Sequence, residues 1–510
     1  GGWDSRSHSL VTGRYNEHSA FESLSKPRCP LVIFSRPKVR GIFPHGRPEL
    51  IYNYQQKHHV EVTTAWMVSY PRDNVLDIDN DTSQYWQEKL SEACRQTHVE
   101  SASLGIVSRD RIVAVNISNQ SSMPDHSLSK GSPAFCVAKL FTATLVATLV
   151  GAGKLGFEDV ITDLLPVAAT NTASTANLLA GITVAHLLSH THGLTADGLN
   201  AAPVNARGFI DDERVFGALN KSGRIFAPGT FYSYGVAGYI LLGLVIEHVT
   251  QLTFGEFLRM QIMARICNRN IGLPHTISDT ADHLPICPSS GNNLNLSLHE
   301  LMAFTSSYLK PDHNPLNLTD NLVEDMFGIQ KPMPGWSPTI AGICYGWKRF
   351  ANSWHGHDGM DSHNQTYIRV NRASNTAICL IAHSPLRSPG ALSSLLFRHD
   401  YPELSRSTAK QPAILLDALP DDNDVIIGAY GDSRTRFLIS LSDGRPRIEI
   451  LSIADNAAKN SHQCYLYPAE DKLFFLSKPW QYITFLQLVT DGNGCRYLWD
   501  HTQLWPALTE

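Results

Sequence analysis

The order in which hydrophobic periodicities follow one another constrains the fold of this chain more than any other feature. In SASLGIVSRDRIVAVNIS, residues 101–118, two apolar runs flank the polar tetrad Ser108–Arg111, the pattern of a β-hairpin that opens a sheet. Helical patterns then dominate from 136 to about 310, including the long Gly238–Met263 stretch. Strand-like runs return at Tyr345–Trp347, Gln365–Val370 and Ala377–Ala382. Strands on either side of a helical middle predict one sheet assembled from both ends of the segment.

Three regions follow from this reading. Residues 1–84, with strand-like pieces Leu31–Phe34 and Val60–Thr63 between Pro- and His-containing loops, read as an N-terminal extension of unassigned role. Residues 85–402 open on a polar amphipathic helix, YWQEKLSEACRQT, and hold the mixed segment. Beyond Pro402 a linker, ELSRSTAKQP, leads into short β-rich runs with turn signals at Ser442–Gly444 and Asp491–Gly494, expected to form a small β barrel over 411–510. Two or three domains suit 510 residues at roughly 150 residues each.

Composition narrows the function classes. With 43% hydrophobic and 17% charged residues and a net charge of −5, the chain reads as globular and carries no basic field for nucleic acid. The longest apolar run, Leu140–Val150, is broken by threonines and falls far short of the ~20 residues that span a bilayer, so no membrane span is expected. Nine cysteines without paired spacing read as mostly buried thiols in a reducing compartment, from which a cytoplasmic location is expected. His186, His190 and His192 lack an accompanying carboxylate or cysteine at ligand spacing, so no metal is expected, and nothing implies a cofactor.

The stretch SPAFCVAKLF, residues 132–141, carries the chemistry. Ser132 reads as a helix cap and Pro133 as an early helical residue, which places Cys136 in the first turn and Lys139 one turn on, along the same face. Helix dipole and ammonium both favour a thiolate there. An isolated C-x-x-K is most simply a core cysteine beside a lysine.

Longer context changes that reading. KLFTATLVATLVGAGKLGFEDVITDLLP is followed by ITVAHLLSHTHGL, PGTFYSYGVAGYILLGLVIEHVTQLTFGEFL and WHGHDGMDSHNQTYIRV. Over roughly residues 95–400 the chain resembles the serine β-lactamase and penicillin-binding-protein superfamily, in particular its class C-like esterase, D-aminopeptidase and acyltransferase branch. The resemblance implies an α+β catalytic domain, a β-lactamase/transpeptidase-like antiparallel sheet with a flanking helical subdomain, and a lipocalin-like C-terminal barrel. The family's S-x-x-K falls on Cys136–Lys139, its Y-x-N on Tyr234–Val236, and its K-T-G or H-x-G on His357–Gly359. Two of the three motifs are altered: a thiol replaces the hydroxyl, and Val236 replaces the asparagine.

Roles follow from this correspondence. Cys136 is expected to attack a carbonyl carbon, while Lys139 and Tyr234 share a proton and pass it to the leaving group. Backbone N–H groups of Cys136 and Met360 are the expected oxyanion donors, and His357, Gly359 and Val236 line the substrate's place. Valine in place of the amide-binding asparagine argues for an apolar acyl group over peptide-like or β-lactam substrates. His192 reads as structural.

A cysteine acyl-enzyme is a thioester, more reactive than an ester toward amines and thiols, and forming it from another thioester is close to energetically neutral. The expected activity is therefore a thioesterase or acyltransferase, cyclising or not, acting on a thioester-linked acyl group in natural-product biosynthesis. Its substrate is an acyl thioester, free or on an acyl or peptidyl carrier protein. The alternatives are a β-lactamase-like ester or amide hydrolase, a catalytically silent binding module of the same fold, and a cysteine installed in place of a native serine.

Overall fold

The computed structural model describes residues 77–404 and 427–508, apart from short segments of which the longest are 119–130 and 268–287. The strand-like pieces expected at 31–34 and 60–63, and most of the linker, lie outside these residues.

The early hairpin and the late strands do join one sheet. The hairpin strands β2 (Ser101–Val107) and β3 (Arg111–Ser118) pair antiparallel, and the short β1 (Asp77–Ile78) lies parallel to β3. The later strands are β6 (Lys331–Pro332), β7 (Ile340–Ile343), β8 (Lys348–Phe350), β9 (His355–Met360), β10 (Asn364–Asn371) and β11 (Thr376–His383). In space the order is β1-β3-β2-β11-β10-β9-β8-β7-β6, so the chain leaves the sheet after β3 and returns at the far edge. The β2–β11 pairing, Ala377 opposite Val107 through His383 opposite Ser101, joins the two halves.

Alternation along these strands feeds two cores. Ile378, Leu380 and Ala382 pack with Trp86, Leu90 and Leu396, under the helix Asn80–Thr97 and the C-terminal helix Gly390–Leu396. Ala377, Cys379 and Ile381 face the other way, into the larger core of the helical middle. There the helices Ala138–Gly151 and Ala237–Thr250 are apolar nearly all round, with mostly buried residues, which is how a helix surrounded by protein reads.

Two local expectations are corrected. Ser132–Pro133 forms a short strand, β4, paired with β5 (Asn295–Leu296), and the helical turn begins only at Phe135 with no side-chain cap. Backbone pairing takes the role assigned to the serine cap. Tyr345–Trp347 is the connection between β7 and β8 rather than a strand; Gly346 sits at φ 82°, and a Cβ there would lie 2.5 Å from the Ala143 methyl.

The C-terminal part is an eight-stranded antiparallel meander, β12 (Gly428–Gly431) through β19 (Leu504–Pro506), in sequence order. Its ends meet: Tyr430 bridges Ala507, and Leu508 N–H donates to the Ala429 carbonyl at 2.8 Å. Phe437, Ile448, Ile450, Phe474, Leu486, Leu498 and Trp505 fill its interior. Among the described residues no single helix is long and apolar enough to cross a membrane.

Candidate active site

Cys136 sits in a turn held from three directions. Ala134 N–H donates to the Leu294 carbonyl at 2.9 Å, Thr366 Oγ1 donates to the Pro133 carbonyl at 2.9 Å, and Val137 N–H closes on the Ala134 carbonyl at 3.0 Å. Phe135, immediately before the cysteine, has φ 47°, a conformation that costs a non-glycine residue and persists only where its surroundings enforce it. From this turn the helix Ala138–Gly151 runs into the core and carries Lys139, which is 0% exposed.

A buried ammonium needs compensation. Lys139 Nζ lies 4.7 Å from the centre of the Tyr234 ring and 5.6 Å from that of Tyr239, whose own hydroxyl donates to the Leu188 carbonyl. Tyr234 comes from the loop before Ala237–Thr250, and Val236 is that helix's N-terminal flank, packed partly against the main core. The Tyr234 hydroxyl is enclosed and makes no well-formed hydrogen bond among the described residues; the neighbour whose proximity acts on it is Cys136.

The third sequence motif lies alongside. On β9, His355 and His357 share a face by strand alternation. His355 stacks on Phe327 with centroids 4.0 Å apart, whereas the His357 ring centre is 5.8 Å from that of Tyr234. Gly359, on the same face, runs against the cysteine turn: a Cβ there would lie 2.4 Å from Ala134 O and 3.1 Å from Cys136 N. Met360 follows, opposite Gln365 on β10, with its side chain 38% exposed.

Two further residues join the group without a sequence signal. His190, at φ 56°, places its ring 4.5 Å from that of Tyr234 and accepts the Gly235 N–H at Nδ1, 3.3 Å away. Lys348, on β8 opposite Gly356, holds its Nζ 5.1 Å from the Tyr234 ring centre, so two ammonium groups lie close to one phenol. The three histidines considered together in the sequence are separately engaged. His186 closes a capping box with Thr183, His192 Nδ1 accepts the Leu194 N–H, and His190 serves Gly235.

The charges follow from this geometry. Burial pushes the Cys136 thiol up, but Lys139, the Tyr234 hydroxyl and Lys348 outweigh it and leave the thiol below its ordinary value. Burial pushes Cys94, Cys344 and Cys379 up to about 12. Burial and the nearby sulfur hold the Tyr234 phenol well above its usual range. His190 and His357 are held well below theirs, by burial and then by the lysines, so both imidazoles are neutral. His357 Nδ1 donates to the Asp358 carbonyl at 2.8 Å, which leaves Nε2 as an acceptor. The arrangement can hold a thiolate beside a protonated phenol, with two ammonium groups nearby.

Known proteins resemble this architecture. The family model described as Beta-lactamase matches residues 79–394. Penicillin-binding protein 4 of Amycolatopsis lactamdurans is 25% identical over 341 residues, 59% of this chain and 84% of that protein. A crystal structure of SurE with D-Leu superposes with a TM-score of 0.64 at 18% identity, covering 84% of this chain and 100% of that one. The octameric penicillin-binding protein homologue from Pyrococcus abyssi gives 0.50 at 16% identity, covering 83% and 99%. At these identities the two structures speak to the fold alone.

Proposed function

Because the chain belongs to the beta-lactamase family, a superfamily of hydrolases and acyltransferases, we propose that it is an acyl-transfer enzyme with Cys136 as its nucleophile. The observation that carries this reading is the setting of the sulfur. Cys136 is partly exposed and its thiol is lowered beside Lys139 and Tyr234, whereas Cys94, Cys344 and Cys379 are buried with thiols pushed up.

In this proposal the Cys136 thiolate attacks the carbonyl of an acyl thioester, free or held on a carrier protein. The oxyanion is received by the N–H groups of Cys136 and Met360. Collapse breaks the incoming C–S bond, and the leaving thiolate takes a proton through Tyr234 and Lys139. The enzyme-bound thioester then passes its acyl group to an amine, thiol or water. Because thioester exchange is nearly isoenergetic, the cysteine suits transfer, including cyclisation in natural-product biosynthesis, better than it suits plain hydrolysis. Val236, where the family correspondence expects an amide-binding asparagine, offers no side-chain hydrogen bond, in keeping with an apolar acyl group.

Incubation with a panel of acyl N-acetylcysteamine thioesters, followed by intact mass and peptide mapping, tests the reading. One acyl group on the Cys136 peptide is expected; acylation elsewhere, or none with any acyl chain, overturns it. Ester or amide hydrolysis is the second reading, favoured by the 25% identity to a penicillin-binding protein. It is recognised by release of free acid without transfer to added amines or thiols.

A further inference from the structure

The family correspondence places a neutral His357 where the K-T-G form of the motif carries a lysine, yet the site does not lack a second cation. Lys348 comes from the adjacent strand, β8, whose pairing with β9 sets it opposite Gly356, one residue from His357. Its Nζ faces the same phenol ring as Lys139, at 5.1 Å against 4.7 Å. Asp358, the carboxylate near it, is held by Arg369 at 3.1 Å, and Arg369 in turn lies over the Phe350 and Tyr367 rings. Among the described residues Lys348 Nζ has no hydrogen-bond or ion-pair partner.

We propose that Lys348 is a positioning residue of the acyl-transfer site: its ammonium holds the Cys136 sulfur as a thiolate, so that Lys139 and Tyr234 serve the proton transfer. This rests on the assignment of Cys136 as nucleophile and extends it to a residue that no motif marks.

The electrostatics around the sulfur support this division of labour. The groups acting on it are Lys139, Tyr234 and Lys348; the His357 and His190 rings lie against that of Tyr234, and Asp358 pairs with Arg369. Both imidazoles are neutral and the phenol is protonated, so the two ammonium groups supply the positive charge that faces the sulfur. Burial lowers Lys348 from its ordinary value, with Arg369 and Lys139 adding to it; Asp358 and then the Cys136 charge oppose this, and the pull between Lys348 and the sulfur is reciprocal.

Attack then has a consequence for the proton. When the sulfur bonds to the acyl carbon its negative charge leaves with the departing thiolate, and two ammonium groups are left beside Tyr234 without it. The surplus proton passes to the departing thiolate, giving a neutral thiol and one remaining cation; no other reactant is needed. A hydroxyl nucleophile requires a neutral lysine as base at the outset, whereas a thiolate is served by two charged ones.

The test is the pH dependence of iodoacetamide alkylation at Cys136, followed by peptide mass in the full chain. Lys348→Met should raise the titration midpoint by about one pH unit and slow alkylation near neutrality about tenfold, while Lys348→Arg keeps both near the parent values. An unmoved midpoint in folded Lys348→Met overturns the proposal. If that variant does not fold, the reciprocal experiment decides. In Cys136→Ala, Lys348 should react several-fold faster with trinitrobenzenesulfonate than in the parent, and an unchanged rate overturns the proposal. Failure of the acyl-transfer reading shows separately, as absence of an acyl adduct on a thiol whose midpoint still follows Lys348.

Discussion

Gly359 and Cys136 meet backbone to backbone: a Cβ on the glycine would lie 3.1 Å from the cysteine nitrogen and 2.4 Å from Ala134 O. Strand β9 thus reaches the Cys136 turn only because position 359 has no side chain. The contact matters because the Cys136 N–H is one of the two proposed oxyanion donors, and a shift of a fraction of an ångström would misaim it.

Gly359→Ala should therefore cost about 1–3 kcal/mol in stability, as overpacking does, and lower acyl transfer by on the order of a hundredfold. Alkylation of Cys136 should change less, since it needs the thiolate but not the oxyanion donors. Thermal melting, iodoacetamide rates and adduct formation measured side by side check this. Equal loss in alkylation and acylation would mean that the glycine supports the turn and not the oxyanion geometry.

Lys139 is wholly buried on a helix whose other buried residues are uncharged, so its ammonium is retained against a desolvation cost. Lys139→Met keeps the length of the side chain and removes that cost. The variant should melt at the parent's temperature or above it, while acyl transfer falls on the order of a thousandfold, the scale of a lost proton relay. A clear drop in melting temperature would identify the lysine as chiefly structural.

Much of this site was legible in the sequence, because local chain geometry ties Cys136 to Lys139 and the Tyr234 and His357 motifs lie in long matching context. Lys348 was not legible. It reaches the site through pairing of β8 with β9, and in GWKRF it reads as one polar residue of a short strand. His190 was hidden for a similar reason, since its backbone at φ 56° turns its ring onto Tyr234. The cap expected at Ser132 failed because propensity at a helix start competes with long-range pairing, and Leu296, from a strand more than 160 residues away, took the backbone instead. That early and late strands share one sheet was readable from the two periodicities, but the Tyr345–Trp347 run was apolar because it packs around a turn.

Acid should destabilise the fold before carboxylates of ordinary pKa protonate. Burial lowers His192 to about 3, with His186 adding to it, and burial lowers His355 to about 4, with Arg349 adding to it. A histidine depressed in the folded chain stays neutral while its unfolded counterpart takes a proton below about 6.5, so the unfolded state binds more protons and stability falls as pH falls. From pH 6.5 to 5 each of the two contributes a loss of up to about 2 kcal/mol, and His190 and His357 act in the same direction. Glu247, raised to about 7 by burial although it accepts the Ile210 and Phe254 N–H groups, acts oppositely, gaining a proton in the folded state first. Four groups against one give a net loss, and a melting temperature that holds level between pH 7 and pH 5 would contradict it.

The nature of the nucleophile is tested by comparing Cys136→Ser with Cys136→Ala on an acyl thioester that labels the parent. Lys139 and Lys348 suit a sulfur anion; a serine hydroxyl ionises far less readily and needs a neutral base in the ground state. The serine variant should therefore acylate more slowly, by at least about a hundredfold, without losing acylation altogether. Its product is an ester, less reactive toward amines and thiols than the parent's thioester. Once formed it should persist, so the acyl-enzyme accumulates and is seen by intact mass while transfer to an added amine nearly stops. Alanine should give no adduct at all. A serine variant faster than the parent would show that the two lysines serve a hydroxyl, which favours the hydrolase. Turnover by the alanine variant equal to the parent's would remove covalent catalysis from the mechanism.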